Sequence, residues 1–199
     1  MFVIGLTGSL KTGKTTVSRM FARLGAQVVD ADKIAHTCMN RGQTGYSKIV
    51  KLFGIKILRG KDIDRPKLAR IVFKDKRQLK KLEAIIHPFV VREMKHKVFH
   101  QRKKSGVIVL DVPLLFESGL DRLTDLTLVV RASQPVQITR AIKQLRISKG
   151  EALRRIKAQM PLREKIKWAD CVIDNSRHLN ETKRKVNAIW QKVQRMKKR

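Results

Sequence analysis

Cysteine is scarce in this chain: Cys38 and Cys171 are the 2 cysteines in 199 residues. They lie far apart with no CxxC or Cys/His cluster around them. That pattern argues against a disulfide framework and against a zinc site, and it suits a reducing cytoplasm. Aromatics make up only 5%, which weakens any reading of the final basic helix as a membrane-surface segment. Long hydrophobic runs are lacking too. The opening Met1-Phe2-Val3-Ile4-Gly5-Leu6 is apolar but far too short to span a bilayer, and it has neither the basic start nor the cleavage region of a signal peptide. It reads as a strand. Without internal repeats, low-complexity tracts or Pro/Ser-rich linkers, one folding unit with an embedded subdomain is expected.

Acidic residues are the scarcest relative to their opposites, with 16 Asp+Glu against 46 Lys+Arg, a formal net charge of +30. Summed positive charge raises the local concentration of anions, so phosphate-bearing substrates, nucleic acid or an acidic surface are the partners to consider. A generally basic composition is the competing account. From Lys183 onward there are eight basic residues and no acidic one, which makes the tail the best candidate for nonspecific electrostatic contact with nucleic acid.

What is present is an alternation of short apolar runs and helical periods. Besides the first run, Gln27–Asp30, Val107–Asp111, Leu126–Val130 and Cys171–Asp174 read as strands covered on both faces. Val17, Met20, Phe21 and Leu24 follow helical spacing, with Gly25 as the stop, and Val186, Ile189, Trp190 and Val193 repeat it. Five strands alternating with helices predict an α/β fold with a parallel sheet flanked by helices. The core is expected at about 1–32, 105–133 and 168–199. A mainly helical insertion is expected at about 33–104, over the carboxyl edge of the sheet, and a basic helical lid at about 134–167.

Gly8-Ser9-Leu10-Lys11-Thr12-Gly13-Lys14-Thr15 fits GxxxxGK[ST], the P-loop pattern, and it stands where a strand ends and an amphipathic helix begins. In such a loop backbone N–H groups wrap a phosphate at a helix N-terminus. Lys14 bridges the β- and γ-phosphates, the Thr15 hydroxyl ligates Mg²⁺, and Thr16 with the amides from Lys11, Thr12 and Gly13 onward completes the cradle. ATP as co-substrate and Mg²⁺ are the expected cofactors. Asp111, at the end of an apolar run, stands where such a protein places a second acidic residue for the metal, or else caps a strand end.

Read together, Ile4-Gly5-Leu6-Thr7-Gly8, Val29-Asp30-Ala31-Asp32, Ile86-His87-Pro88, Asp111-Val112-Pro113-Leu114-Leu115-Phe116-Glu117 and Ala169-Asp170-Cys171-Val172-Ile173-Asp174-Asn175 resemble dephospho-CoA kinases. Leu68-Ala69-Arg70-Ile71-Val72-Phe73 and Gln159-Met160 extend the likeness over nearly the whole chain. The resemblance implies a P-loop NTPase fold and ATP-dependent phosphorylation of the ribose 3′-hydroxyl of dephospho-CoA; a monomer in the cytoplasm is expected. It implies that Asp32, closing the second strand, faces the acceptor hydroxyl as base or orienting group, although Asp in that place also suits a helix cap. It implies a lid arginine at Arg140, which by composition alone could be a solvated surface arginine. It sets Arg65, His87, Leu114 and Glu117 on the acceptor side, where a lone histidine such as His87 is otherwise a structural residue and Leu114, with Pro113 and Leu115, otherwise shapes the turn. It sets Asn175 at the adenine, where an ordinary turn residue is the alternative. His87 precedes a proline and is expected in extended backbone.

Two departures from the family pattern stand out. Ser9-Leu10-Lys11-Thr12 replaces a more usual Gly-Ile-Gly-Ser, and Gln144 replaces a second lid arginine, with Arg146 a substitute. Other readings are a P-loop kinase acting on another small acceptor, such as a nucleoside monophosphate, and a basic nucleic-acid-associated protein that keeps the fold without the chemistry.

Overall fold

The computed structural model describes residues 1–101 and 105–197. The last three positions of the expected insertion, 102–104, and the terminal pair Lys198 and Arg199 of the basic tail lie outside the described residues. Two compact units are formed, one of Met1–Val29 with Lys97–Arg199, the other of Asp30–His96; the sequence pattern set the insertion at 33–104.

In the first unit the apolar runs become β1 (Phe2–Gly8), β2 (Gln27–Asp30), β5 (Val107–Asp111), β6 (Leu126–Arg131) and β7 (Cys171–Asp174). They form one sheet in the order β2-β5-β1-β6-β7. β1 runs parallel to β5, with Phe2 opposite Val107, and to β6, with Ile4 opposite Leu126; β6 runs parallel to β7. Strand order reverses at β1, so the loop leaving β1 emerges at the switch point where open α/β sheets receive ligands.

Helix α1 (Lys14–Arg23) buries Val17 and Phe21 at the expected spacing. It ends at Gly25, whose φ of +100° only glycine adopts without strain. Ala26 N–H reaches back to the Phe21 carbonyl at 3.0 Å and Gly25 N–H to that of Ala22 at 3.0 Å, the paired bonds of a Schellman stop. Helix α9 (Leu179–Met196) buries Val186 and Val193, and its Trp190 ring lies 6.4 Å from that of Phe21. Together with Ile4, Leu6, Val109, Leu128, Val130 and Ile173 they make the core of this unit. Lys183, Arg184, Lys185, Lys192 and Arg195 on α9, and Lys197 just after it, are all exposed. The expected lid consists of α6 (Gln134–Leu145), α7 (Lys149–Lys157) and α8 (Leu162–Trp168).

The second unit holds α2 (Ala31–Cys38), α3 (Thr44–Phe53), α4 (Arg65–Val72) and most of α5 (Lys76–Gln101) around Ile49, Phe53, Ile57, Leu68, Val72 and Leu82. The sequence reading missed a two-stranded antiparallel hairpin here, β3 (Leu58–Arg59) with β4 (Asp62–Ile63), turning at Gly60. Such short strands carry too little periodicity to be seen. His87 also needs correction, because it is helical rather than extended: Pro88 lies inside α5. Pro88 and Ala84 are both exposed. The ring therefore costs one hydrogen bond on the exposed side of the helix, and buried Phe89 and Val90 hold the helix through it.

Candidate active site

The loop between β1 and α1 is shaped by its own short-range bonds. Thr12 donates from both its N–H, at 3.3 Å, and its hydroxyl, at 3.0 Å, to the Ser9 carbonyl. Thr16 and Val17 N–H both reach the Gly13 carbonyl, at 3.0 and 3.2 Å. Gly13 at φ +95° precedes α1, and the early amides of the helix point outward as an anion cradle. Lys11, where the family more usually has glycine, also takes a positive φ of 55°.

Behind the loop stands Asn175, 4% exposed. Its Nδ2 donates to the Thr12 carbonyl at 2.8 Å and its Oδ1 accepts from the Thr182 hydroxyl on α9 at 3.0 Å. A Cβ added at Gly13 would lie 1.9 Å from that Nδ2, so glycine is required there by packing as well as by φ. Asn175 is therefore more than a turn residue: its side chain is a strut under the loop. Arg140 on α6 spans the same corner, donating to the Asn175 carbonyl at 2.9 Å and to those of Lys11 and Thr12 at 3.5 and 3.4 Å. This is not a solvated surface arginine. Gln144 and Arg146 are both exposed, and Arg146 ends α6 at φ 53°.

On the other side of the loop the Lys14 ammonium pairs with the Asp111 carboxylate at the end of β5. Asp111 is 2% exposed. Thr15, the second residue of α1, is exposed. Lys14, Thr15, Asp111, Arg140 and Asn175 are thus brought around one loop. Beyond Asp111, Leu114 is half-buried and its carbonyl accepts from the Ser118 hydroxyl at 2.6 Å. Glu117 accepts from Met160 N–H at 3.3 Å and pairs with Lys165 at 2.9 Å.

In the second unit, Asp32 does not close a strand and is not the cap. β2 ends at Asp30, whose carboxylate accepts from Asp32 N–H at 2.9 Å and Lys33 N–H at 3.2 Å and so caps α2. Asp32 sits exposed in the first turn, its carboxyl not used as the cap. Arg65 opens α4 after the cap Asp64, and is exposed; His87 on α5 is half-buried.

Thr182 and Lys165 were not singled out from the sequence, and Gln159 entered only as part of the Gln159-Met160 likeness, with no role given to it. Lys165 is fully buried at 0% exposed, yet one lysine among 46 basic residues gives no sign of that by itself. Burial pushes its ammonium below the ordinary lysine range; Glu117 opposes this and the Lys14 charge adds to it.

The dephospho-CoA kinase family model matches residues 2–181. A dephospho-CoA kinase of Bacillus cereus is 44% identical over 189 residues, covering 94% of each chain. One of Bacillus licheniformis is 44% identical over 199 residues, covering 97% of this chain and 98% of its own. Among solved structures, the dephospho-CoA kinase of Campylobacter jejuni superposes with a TM-score of 0.72 at 28% identity over 96% of both chains. A shikimate kinase of Bacteroides thetaiotaomicron, at 17% identity and TM-score 0.56 over 97% of this chain and 98% of its own, shares the fold. With the family model matching residues 2–181 and relatives 44% identical over nearly the whole length, the chain belongs to the dephospho-CoA kinase family.

Proposed function

We propose that this chain transfers the γ-phosphoryl group of ATP to the ribose 3′-hydroxyl of dephospho-CoA, giving coenzyme A and ADP, with the roles assigned residue by residue below. The observation that carries the assignment is the Gly8–Thr15 loop, braced by Asn175 and Arg140 and flanked by the Lys14–Asp111 pair. Phosphoryl transfer asks for positioning and charge neutralisation more than for covalent chemistry. Lys14 supplies a compact cation to the β- and γ-phosphates, and Arg140 a planar one whose fork suits spreading charge. The loop amides hold the phosphate chain, and Asn175 stands on the adenine side, its N–H donating to the Arg131 carbonyl at 2.8 Å and its own carbonyl accepting from Arg140 at 2.9 Å. Asp32, exposed in the first turn of α2, accepts the acceptor's proton or orients its hydroxyl. Arg65, His87 and Leu114 are assigned to the acceptor, while Glu117 is engaged with Lys165 and with Met160 N–H.

The residues fit Mg²⁺. Among the described residues no cluster of three or more His, Cys, Asp or Glu could hold a metal alone, but Mg²⁺ needs none, since it keeps waters and takes other ligands from phosphates. The Thr15 hydroxyl and Asp111 carboxylate are hard oxygen donors and would hold it. When bound, the ion neutralises charge on the phosphate oxygens.

No helix among the described residues is long and apolar enough to cross a membrane. Two free thiols, Cys38 and Cys171, support a reducing cytoplasm as the place of reaction, with the chain acting as a monomer. Contact with nucleic acid is assigned only to the exposed basic face of α9, as salt-sensitive nonspecific attraction.

An ADP-release assay with Mg-ATP tests the proposal, comparing dephospho-CoA with AMP, UMP, shikimate and no acceptor, and confirming product mass. Turnover with dephospho-CoA alone, giving a product heavier by one phosphate, is expected. Turnover on another acceptor instead would keep the fold and overturn the substrate. Salt-sensitive RNA binding without ATP turnover would favour the non-catalytic reading.

A further inference from the structure

Lysine is almost never fully buried unless paired, and Lys165 on α8 is buried with two partners that are themselves engaged. Its Nζ donates to the Pro113 carbonyl at 2.6 Å and lies 2.9 Å from Glu117 Oε1. The same Pro113 carbonyl accepts from the Thr7 hydroxyl at 2.9 Å, and Thr7 immediately precedes Gly8 and the phosphate loop. The same Glu117 oxygen accepts from Met160 N–H at 3.3 Å. Next to Met160, Gln159 accepts from the Ser9 hydroxyl at 3.1 Å, inside the loop. One buried cation thus joins three stretches: the exit of β1 into the loop, the turn two residues beyond Asp111, and the junction between α7 and α8.

We propose that Lys165 is a positioning residue for the nucleotide, holding the phosphate loop, the Asp111 turn and the Gln159–Met160 junction in one arrangement through Pro113 and Glu117. It touches no reacting atom. Moving the Pro113 carbonyl would release Thr7 at one end of the loop and shift Asp111, the partner of Lys14, at the other. Freeing Glu117 would untie Met160 and weaken the Gln159 tether to Ser9. Every link in this chain leads to the phosphate loop, so the substrate whose affinity depends on Lys165 is ATP rather than the acceptor. This rests on the ATP-binding reading above.

The test is isothermal titration of Mg-ATP, with KM measured separately for each substrate, on Lys165→Met and Gln159→Ala, folding being checked by circular dichroism. Lys165→Met is expected to weaken Mg-ATP by about tenfold or more, the size of a lost charge-assisted hydrogen bond. Its KM for dephospho-CoA should stay within about twofold of the parent. Gln159→Ala, which leaves the buried pair intact, should weaken Mg-ATP by about threefold, in line with one neutral hydrogen bond. If Lys165→Met does not fold, Lys165→Met/Glu117→Gln removes the stranded carboxylate and takes its place. If that too fails to fold, Glu117→Gln, which removes the charge facing Lys165, decides by the same Mg-ATP readout. Mg-ATP affinity unchanged in a folded variant, or equal losses for both substrates, would overturn the positioning role and leave Lys165 a purely structural ion pair. Failure of the unsubstituted protein to bind Mg-ATP would overturn the ATP-binding reading instead.

Discussion

Replacing Gly13 by alanine should damage the protein in a way that a second substitution hides. At φ +95°, alanine pays about 1–2 kcal/mol of backbone strain. Its Cβ would also lie 1.9 Å from Asn175 Nδ2, so the Asn175 side chain must leave its place. That costs the bonds to the Thr12 carbonyl, at 2.8 Å, and from Thr182, at 3.0 Å. Both are buried, and stranding their partners brings the loss to about 2–3 kcal/mol. Gly13→Ala should therefore destabilise by about 3–5 kcal/mol, and Asn175→Ala alone by about 2–3 kcal/mol. The double variant should also lose about 3–5 kcal/mol rather than the sum of about 5–8, because the displaced bonds are already gone: a coupling of about 2–3 kcal/mol. Urea unfolding followed by tryptophan fluorescence reads this directly, since Trp168 and Trp190 both lie in the unit that carries the loop. Singles that add to within about 0.5 kcal/mol would refute the packing account of Gly13.

Lys14→Ala should lower kcat by about 10²–10³, with circular dichroism unchanged, as expected for a lost charge at a transferring group; normal turnover would take the loop out of the mechanism. Asp32→Asn should lower kcat by about 10²–10⁴ with little change in KM for ATP, and near-full kcat would end its role as base. Lys11→Gly should raise the urea midpoint by the equivalent of about 1 kcal/mol by relieving φ 55°; a lowered midpoint would show that Lys11 is not strained. Acid titration of stability should reveal Asp174. Partial burial raises its carboxyl, but bonds from Ser176 and the Arg131 partner at 2.7 Å outweigh this and hold it at about 2, from 3.8. A depressed carboxylate stabilises above its unfolded value, so this contribution is lost as pH falls from about 4 to about 2. Screening at a partly exposed pair limits it to about 1 kcal/mol, and Arg131→Met should flatten that part of the curve.

The central sheet was readable because its strands are continuous β-branched runs: Gln27–Asp30, Val107–Asp111 and Cys171–Asp174 have the bounds their apolar pattern gives. The phosphate loop was readable because its chemistry is local. What escaped depends on partners distant in sequence or on which side of an element faces water. Lys165 is distinguished from other lysines by its partners Pro113, 52 residues away, and Glu117. Pro88 reads as a helix breaker until it is placed on the exposed side of α5. The cap at the start of α2 belongs to Asp30 rather than Asp32, a shift of half a turn that Val29-Asp30-Ala31-Asp32 cannot resolve, since either aspartate suits a cap.

The order in which the sheet is assembled sets a schedule for the growing chain on the ribosome. β1 and the phosphate loop are made first, yet the neighbours of β1 begin only at Val107 and Leu126. Residues 30–96 meanwhile form a contiguous unit with its own apolar cluster, and contacts local in sequence close sooner than distant ones. The strand that leads into the phosphate loop must therefore wait, solvated and unpaired, while the later-made segment collapses ahead of it. Ile4 and Leu6, fully buried in the finished protein, are the residues a chaperone would meet exposed during that interval.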